Sequence, residues 1–200
     1  MKKLVLLAVL ALALPTAVFA GSSIDYTNSG GTLAGSNSGL SLSGSVLIAV
    51  NGNGGLITGN DLGSVSFQTG ALSSGSLQNG GTFAAGGWFT ITGNGSNGVP
   101  TGTLFTGTFS GPASWSLTTL ANGTHNYTLT GTLSGTTASG YSTVGVTVQL
   151  TINTGKGFFN GCTKISSGDS NVVVPEPGSL SLLGTGLIAM GGMIRRKLKA

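Results

Sequence analysis

The sequence predicts an all-β fold: an antiparallel sandwich or jelly-roll-like body, with a barrel as runner-up, flanked by a short apolar helix at each chain end. Three observations predict it. Apolar residues between positions 21 and 174 recur with period two, clusters of Gly, Asn and Ser interrupt them at short intervals, and no part of that region supports a long amphipathic helix.

The clearest alternation runs from Tyr127 through Leu129, Gly131 and Leu133, with Thr128, Thr130 and Thr132 on the other face. A second run sets Val144, Val146, Val148, Leu150 and Ile152 against Thr143, Gly145, Thr147, Gln149 and Thr151. One apolar and one threonine-rich face is the signature of half-buried antiparallel strands. Less regular alternation marks residues 40–50, 64–67, 87–92, 103–109 and 114–120. Turn signals separate these runs, among them Asn51-Gly52-Asn53-Gly54-Gly55, Asn94-Gly95-Ser96-Asn97-Gly98 and Asn122-Gly123. Seven or more short strands follow. Ser22 to Gly39 is rich in Gly, Ser, Thr and Asn and reads as an edge strand with flexible loops. Gly-Thr-Leu recurs at 31–33, 102–104 and 131–133 without a common period, which excludes a regular repeat array.

About 150 residues between the two ends suffice for one domain with its own core. Glycine supplies 37 of 200 residues and charged residues only 6%. The high net charge of a disordered chain is absent. The formal charge of +4 comes from the ends, because residues 21–174 hold only Lys156 and Lys164 against Asp25, Asp61 and Asp169, a net of −1. No nucleic-acid surface follows from that balance.

The first 20 residues have the order of a secretory signal peptide. Met1-Lys2-Lys3 is positive, Leu4 to Leu14 is uninterruptedly apolar, and Val18-Phe19-Ala20 precedes Gly21, which places cleavage between Ala20 and Gly21. Eleven apolar residues span about 16 Å of helix, too little for a bilayer core of about 30 Å. Residues 21–174 are then the β-rich extracellular domain.

Residues 175–200 follow a different order. Pro175-Glu176-Pro177 is held extended by its two prolines, Leu180 to Ile194 carries no charge, and Arg195-Arg196-Lys197-Leu198-Lys199-Ala200 is basic. Residues 180–194 read as a helical transmembrane segment, with Arg195, Arg196 and Lys197 as its membrane stop and residues 195–200 as a cytoplasmic end. Fifteen residues give about 22 Å of helix, and glycine occupies positions 184, 186, 191 and 192. A transient tether fits that segment better than a permanent anchor.

Val174-Pro175-Glu176-Pro177-Gly178-Ser179-Leu180, the glycine-containing apolar run and Arg195-Arg196-Lys197 together resemble the PEP-CTERM sorting signal of Gram-negative bacteria. The resemblance implies an exosortase as partner, with Pro175, Glu176 and Pro177 as its recognition motif and release from the inner membrane toward the cell surface or the outside. It also implies a host that makes exopolysaccharide and a link to biofilm or extracellular matrix.

Catalytic chemistry has little material in the body: three Asp, two Lys, His125 and no Glu. A hydrolase would need His125 with a serine, yet no Gly-x-Ser-x-Gly occurs, and His125 follows a turn as a surface or strand-start residue. Gly93-Asn94-Gly95-Ser96-Asn97-Gly98 fits a dinucleotide-binding spacing, but Val99-Pro100 stands where the phosphate-binding helix should begin. Asp169 near Asn171 reads as a solvated loop rather than a calcium site, and no metal or cofactor is expected. Cys162, the one cysteine, reads as a buried or half-buried thiol, with a dimer disulfide or reactive thiol as the alternative. Trp88 and Trp115 read as core anchors; together with Tyr26, Tyr127 and Tyr141 they are the candidates if the body stacks sugars.

The sequence thus describes a non-enzymatic exported surface or matrix protein, for which the resemblance implies association with exopolysaccharide. A carbohydrate-binding β-sandwich module is the alternative, and a hydrolase is the third reading.

Overall fold

A computed structural model of the chain describes residues 22–52 and 54–174. In chain order the strands are β1 (Ser22–Ser29), β2 (Thr32–Ser36), β3 (Gly39–Gly52), β4 (Gly55–Gln68), β5 (Leu72–Ser76), β6 (Gly80–Phe83) and β7 (Gly86–Asn94). They continue with β8 (Thr101–Phe109), β9 (Ala113–Thr119), β10 (His125–Thr137), β11 (Ser142–Asn153), β12 (Cys162–Lys164) and β13 (Ser167–Val174). Among the described residues the one helical element is a 3₁₀ turn at Ser96–Gly98. The helices expected at either end fall in residues 1–20 and 180–194, which, with Gly21 and the rest of 175–200, lie outside the described residues.

The strand order returns on itself. From β1 it passes through β3, β4, β7, β8, β10, β11 and β13 back to β1, closing an eight-strand barrel. The sandwich or jelly roll expected from strand count is therefore corrected in favour of the barrel. The reason lies in β10, which bonds β11 along one edge and β8 along part of the other, and in β13, which joins β11 to β1. Closure leaves the ring without an unpaired edge.

Period-two alternation sets the register. Tyr127 faces Ile152, Leu129 faces Leu150 and Leu133 faces Val146, and all six side chains are buried. Phe67, Phe89, Phe105 and Phe109 come from β4, β7 and β8 and pack with ring centroids 5.8–6.5 Å apart. Each buried ring contributes about 1.5–3 kcal/mol through lost apolar hydration. Near β1 the interior turns polar: buried Asn28 donates from Nδ2 to Ser45 Oγ (2.6 Å), and Ser45 Oγ donates to the Ser29 carbonyl (3.2 Å). Gly63 is required where β4 meets β7, since its φ of 146° is a glycine conformation and a Cβ there would strike the Thr92 carbonyl oxygen.

Strands outside the ring extend it at one end. β2 pairs the first residues of β3 and carries β12 on its other side. The His125–Thr130 half of β10 pairs β9, which continues into β6 and β5. Stacked on Tyr127 at 5.0 Å, Trp115 joins this addition to the ring, and Phe159 closes on both rings. The early region is also corrected: β1 is bonded on both sides within the ring, rather than being an edge strand.

Candidate functional site

Neighbouring ring strands alternate in direction, so β1 begins and β13 ends at the same end of the barrel. The β3–β4 hairpin tip and the β10–β11 turn lie at that end too, opposite the added strands β2, β5, β6, β9 and β12. The chain thus enters near the expected cleavage point and leaves toward Pro175 from one pole. Thr143 Oγ1 donates to the Val173 carbonyl, fixing the last turn-side residues of β13 against β11. Ala20, Gly21, Pro175, Glu176, Pro177, Arg195, Arg196 and Lys197 themselves lie outside the described residues.

On the barrel wall, outward side chains form two cross-strand rows. Ser114 of β9, Thr130 of β10, Gln149 of β11 and Asp169 of β13 are register partners in the first. Thr132, Thr147 and Asn171 form the second. Strands lie about 4.8 Å apart and alternate residues along one strand about 7 Å apart, so the rows make a fixed grid about 14 Å long. With Asp25, Pro112, Gly131 and Val148 they line an open groove of about 570 Å³. No Lys, Arg or His lines it. Burial, and secondarily the charge of Asp169, raise the Asp25 carboxyl above the ordinary aspartate value.

The side chains singled out by sequence go elsewhere. His125 opens β10 and is buried; its Nδ1 lies 3.2 Å from the Gly157 carbonyl and its ring stacks on Phe158 at 4.4 Å. Tyr26, Trp115 and Tyr127 are buried, with Trp115 Nε1 donating to the Leu77 carbonyl (2.9 Å) and Tyr127 Oη to the Gln78 carbonyl (2.6 Å). Trp88 and Tyr141 are exposed, which corrects the core reading of Trp88. They sit at opposite ends of the barrel, at the start of β7 and in the β10–β11 turn, and cannot share one stacking platform. Cys162 is exposed at the start of β12, correcting the buried thiol. Among the described residues no three of His, Cys, Asp and Glu gather as metal ligands. The Gly93–Gly98 segment ends in the 3₁₀ turn and leads into β8, so no helix offers its N-terminus to a phosphate.

The groove was missed by sequence reading because its residues are isolated Ser, Thr, Gln, Asp and Asn on outward strand positions. Period two marks them as outward, but only the register brings them side by side.

Residues 173–197 match the PEP-CTERM protein-sorting motif. The chain carries that motif, and Pro175, Glu176, Pro177, Arg195, Arg196 and Lys197 all fall within it. No curated protein and no solved structure matches this chain.

Proposed function

We propose that this is a non-enzymatic exported protein, delivered through an exosortase-processed tail, whose β-barrel works at the cell surface or in an extracellular matrix. The matched sorting motif, which begins at the last two residues of β13, carries this reading. Signal-peptide cleavage between Ala20 and Gly21 frees the start of the body, while residues 180–194 hold the other end transiently in the inner membrane. Five residues, 175–179, separate Val174 from the apolar segment. Fully extended, five residues reach at most about 18 Å. In sequence, Pro175-Glu176-Pro177 stands between the body and the apolar segment, as a site for a membrane-embedded enzyme requires.

The non-enzymatic part is supported by the scarcity of titratable side chains and by the engagement of His125 with Gly157 and Phe158. Association with exopolysaccharide or biofilm follows from the role implied for the tail. Carbohydrate binding is the second reading, favoured now by the polar groove rather than by the aromatic residues.

The test compares the protein's size and location in the native host with and without its exosortase. Processing and release that depend on the enzyme, and fail when Pro175-Glu176-Pro177 is replaced by Ala-Ala-Ala, support the reading. Unchanged size and location in both cases refute it.

A further inference from the structure

We infer that the groove across β9, β10, β11, β13 and β1 binds an uncharged polysaccharide chain through the hydroxyl, amide and carboxylate groups of its two rows. This deepens the second reading above and rests on the body being exposed outside the cell.

Three observations lead to it. The first is shape: a groove of about 570 Å³ falls in the range of ligand-sized clefts, about 300–1,000 Å³. The second is preorganisation. Thr130, Gln149 and Thr147 stand on strands bonded along both edges, so their spacing is set by the sheet and little backbone order remains to be lost on binding. Their polar groups face solvent instead of serving the fold, and in the second row Thr132 Oγ1 meets only a long contact from Ser110 Oγ at 3.5 Å.

The third is chemical class. Hydroxyl and amide groups both donate and accept, which matches a chain of sugar hydroxyls that do the same. Pro112, exposed beside the first row, adds apolar surface for the C–H face of a ring. Asp25 and Asp169 bring two carboxylates and no cation to the β13–β1 side. Uronate, phosphate or sulfate groups would meet like charge there with nothing to pair, so the groove selects against acidic polymers.

The test uses the full-length chain in detergent micelles and titrates four probes by calorimetry: maltohexaose, cellohexaose, mannohexaose and hexagalacturonate. At least one neutral hexasaccharide binds, and hexagalacturonate binds about tenfold or more weakly. Gln149→Ala and Thr147→Ala each weaken the neutral ligand about three- to tenfold, the loss of one or two hydrogen bonds. Trp88→Ala leaves binding unchanged, because Trp88 lies outside the groove. Both groove side chains are exposed, so their removal leaves the unfolding transition in place and the comparison remains interpretable. The inference is overturned if no neutral hexasaccharide binds, if hexagalacturonate binds as tightly as the neutral probes, or if Gln149→Ala and Thr147→Ala bind like the parent. Tail processing in the host is a separate readout: groove variants mature normally, so failed glycan binding and failed sorting are told apart.

Discussion

Replacing Tyr127 by Phe removes a single oxygen that joins three parts of the molecule. Tyr127 Oη donates to the Gln78 carbonyl in the β5–β6 turn at 2.6 Å and accepts from the Phe159 amide at 3.1 Å. The ring is fully buried against Trp115 and Phe159, so the substitution keeps the packing and tests the hydroxyl alone. The Gln78 carbonyl lies on an exposed residue and can recover water, which limits its share to about 1 kcal/mol. The Phe159 amide belongs to a buried residue and loses its partner, at about 1–3 kcal/mol. The expected loss is therefore about 2–4 kcal/mol, a large fraction of the 5–15 kcal/mol typical of a domain. Urea unfolding followed by tryptophan fluorescence reads the total, and hydrogen exchange at the Phe159 amide reads its local part. A loss below about 0.5 kcal/mol with unchanged exchange would show that loop 154–161 and the β5–β6 turn are not pinned through this hydroxyl.

Other perturbations test separate links. Gly63→Ala forces a Cβ onto the Thr92 carbonyl and should cost more than about 1 kcal/mol in urea unfolding, since both space and backbone conformation oppose it. Phe89→Ala, which empties the centre of the phenylalanine cluster, should cost about 3–5 kcal/mol by the same measurement. A thiol reagent should label Cys162 fully without denaturant; labelling only after unfolding would contradict its exposed position on β12. The Asp25 carboxyl titrates above the ordinary aspartate value, so its proton favours the folded state. Its contribution is present at low pH and lost as pH rises through the raised value. Asp169→Asn should bring the NMR titration of Asp25 partway back down, leaving the part due to burial, and an unmoved titration would remove Asp169 as a cause.

Much of the barrel wall is legible in the sequence because its two longest alternations are strong. Residues 127–133 and 144–152 fall inside β10 and β11, and 103–109 falls inside β8. β1 and β13 are harder, and they decide the topology. Their inward positions mix Tyr26 and Val172 with Asn28, Gly168 and Ser170, polar or without a side chain, so the apolar stripe is interrupted. Closure joins these two weakly patterned strands from opposite ends of the chain, which is why period two suggested a sandwich. β5, β6 and β12 are built from Gly, Ser and Thr with one or two larger side chains, and their pairing depends on β9 and β2. Trp115 and Trp88 show the same limit: both stand on strands, yet only the register places one against Tyr127 and the other in solvent. The sorting tail was legible for the opposite reason, because its meaning lies in the order of a proline motif, an apolar run and a basic end rather than in tertiary contacts.

Exosortase-dependent maturation is read by the intact mass of the mature protein recovered from the native host's surface or medium. The expected mature chain lacks residues 1–20 and has lost the basic end, and it retains Arg195-Arg196-Lys197 when the exosortase is deleted. A mature, released protein still ending in Arg195 to Ala200 would contradict this expectation.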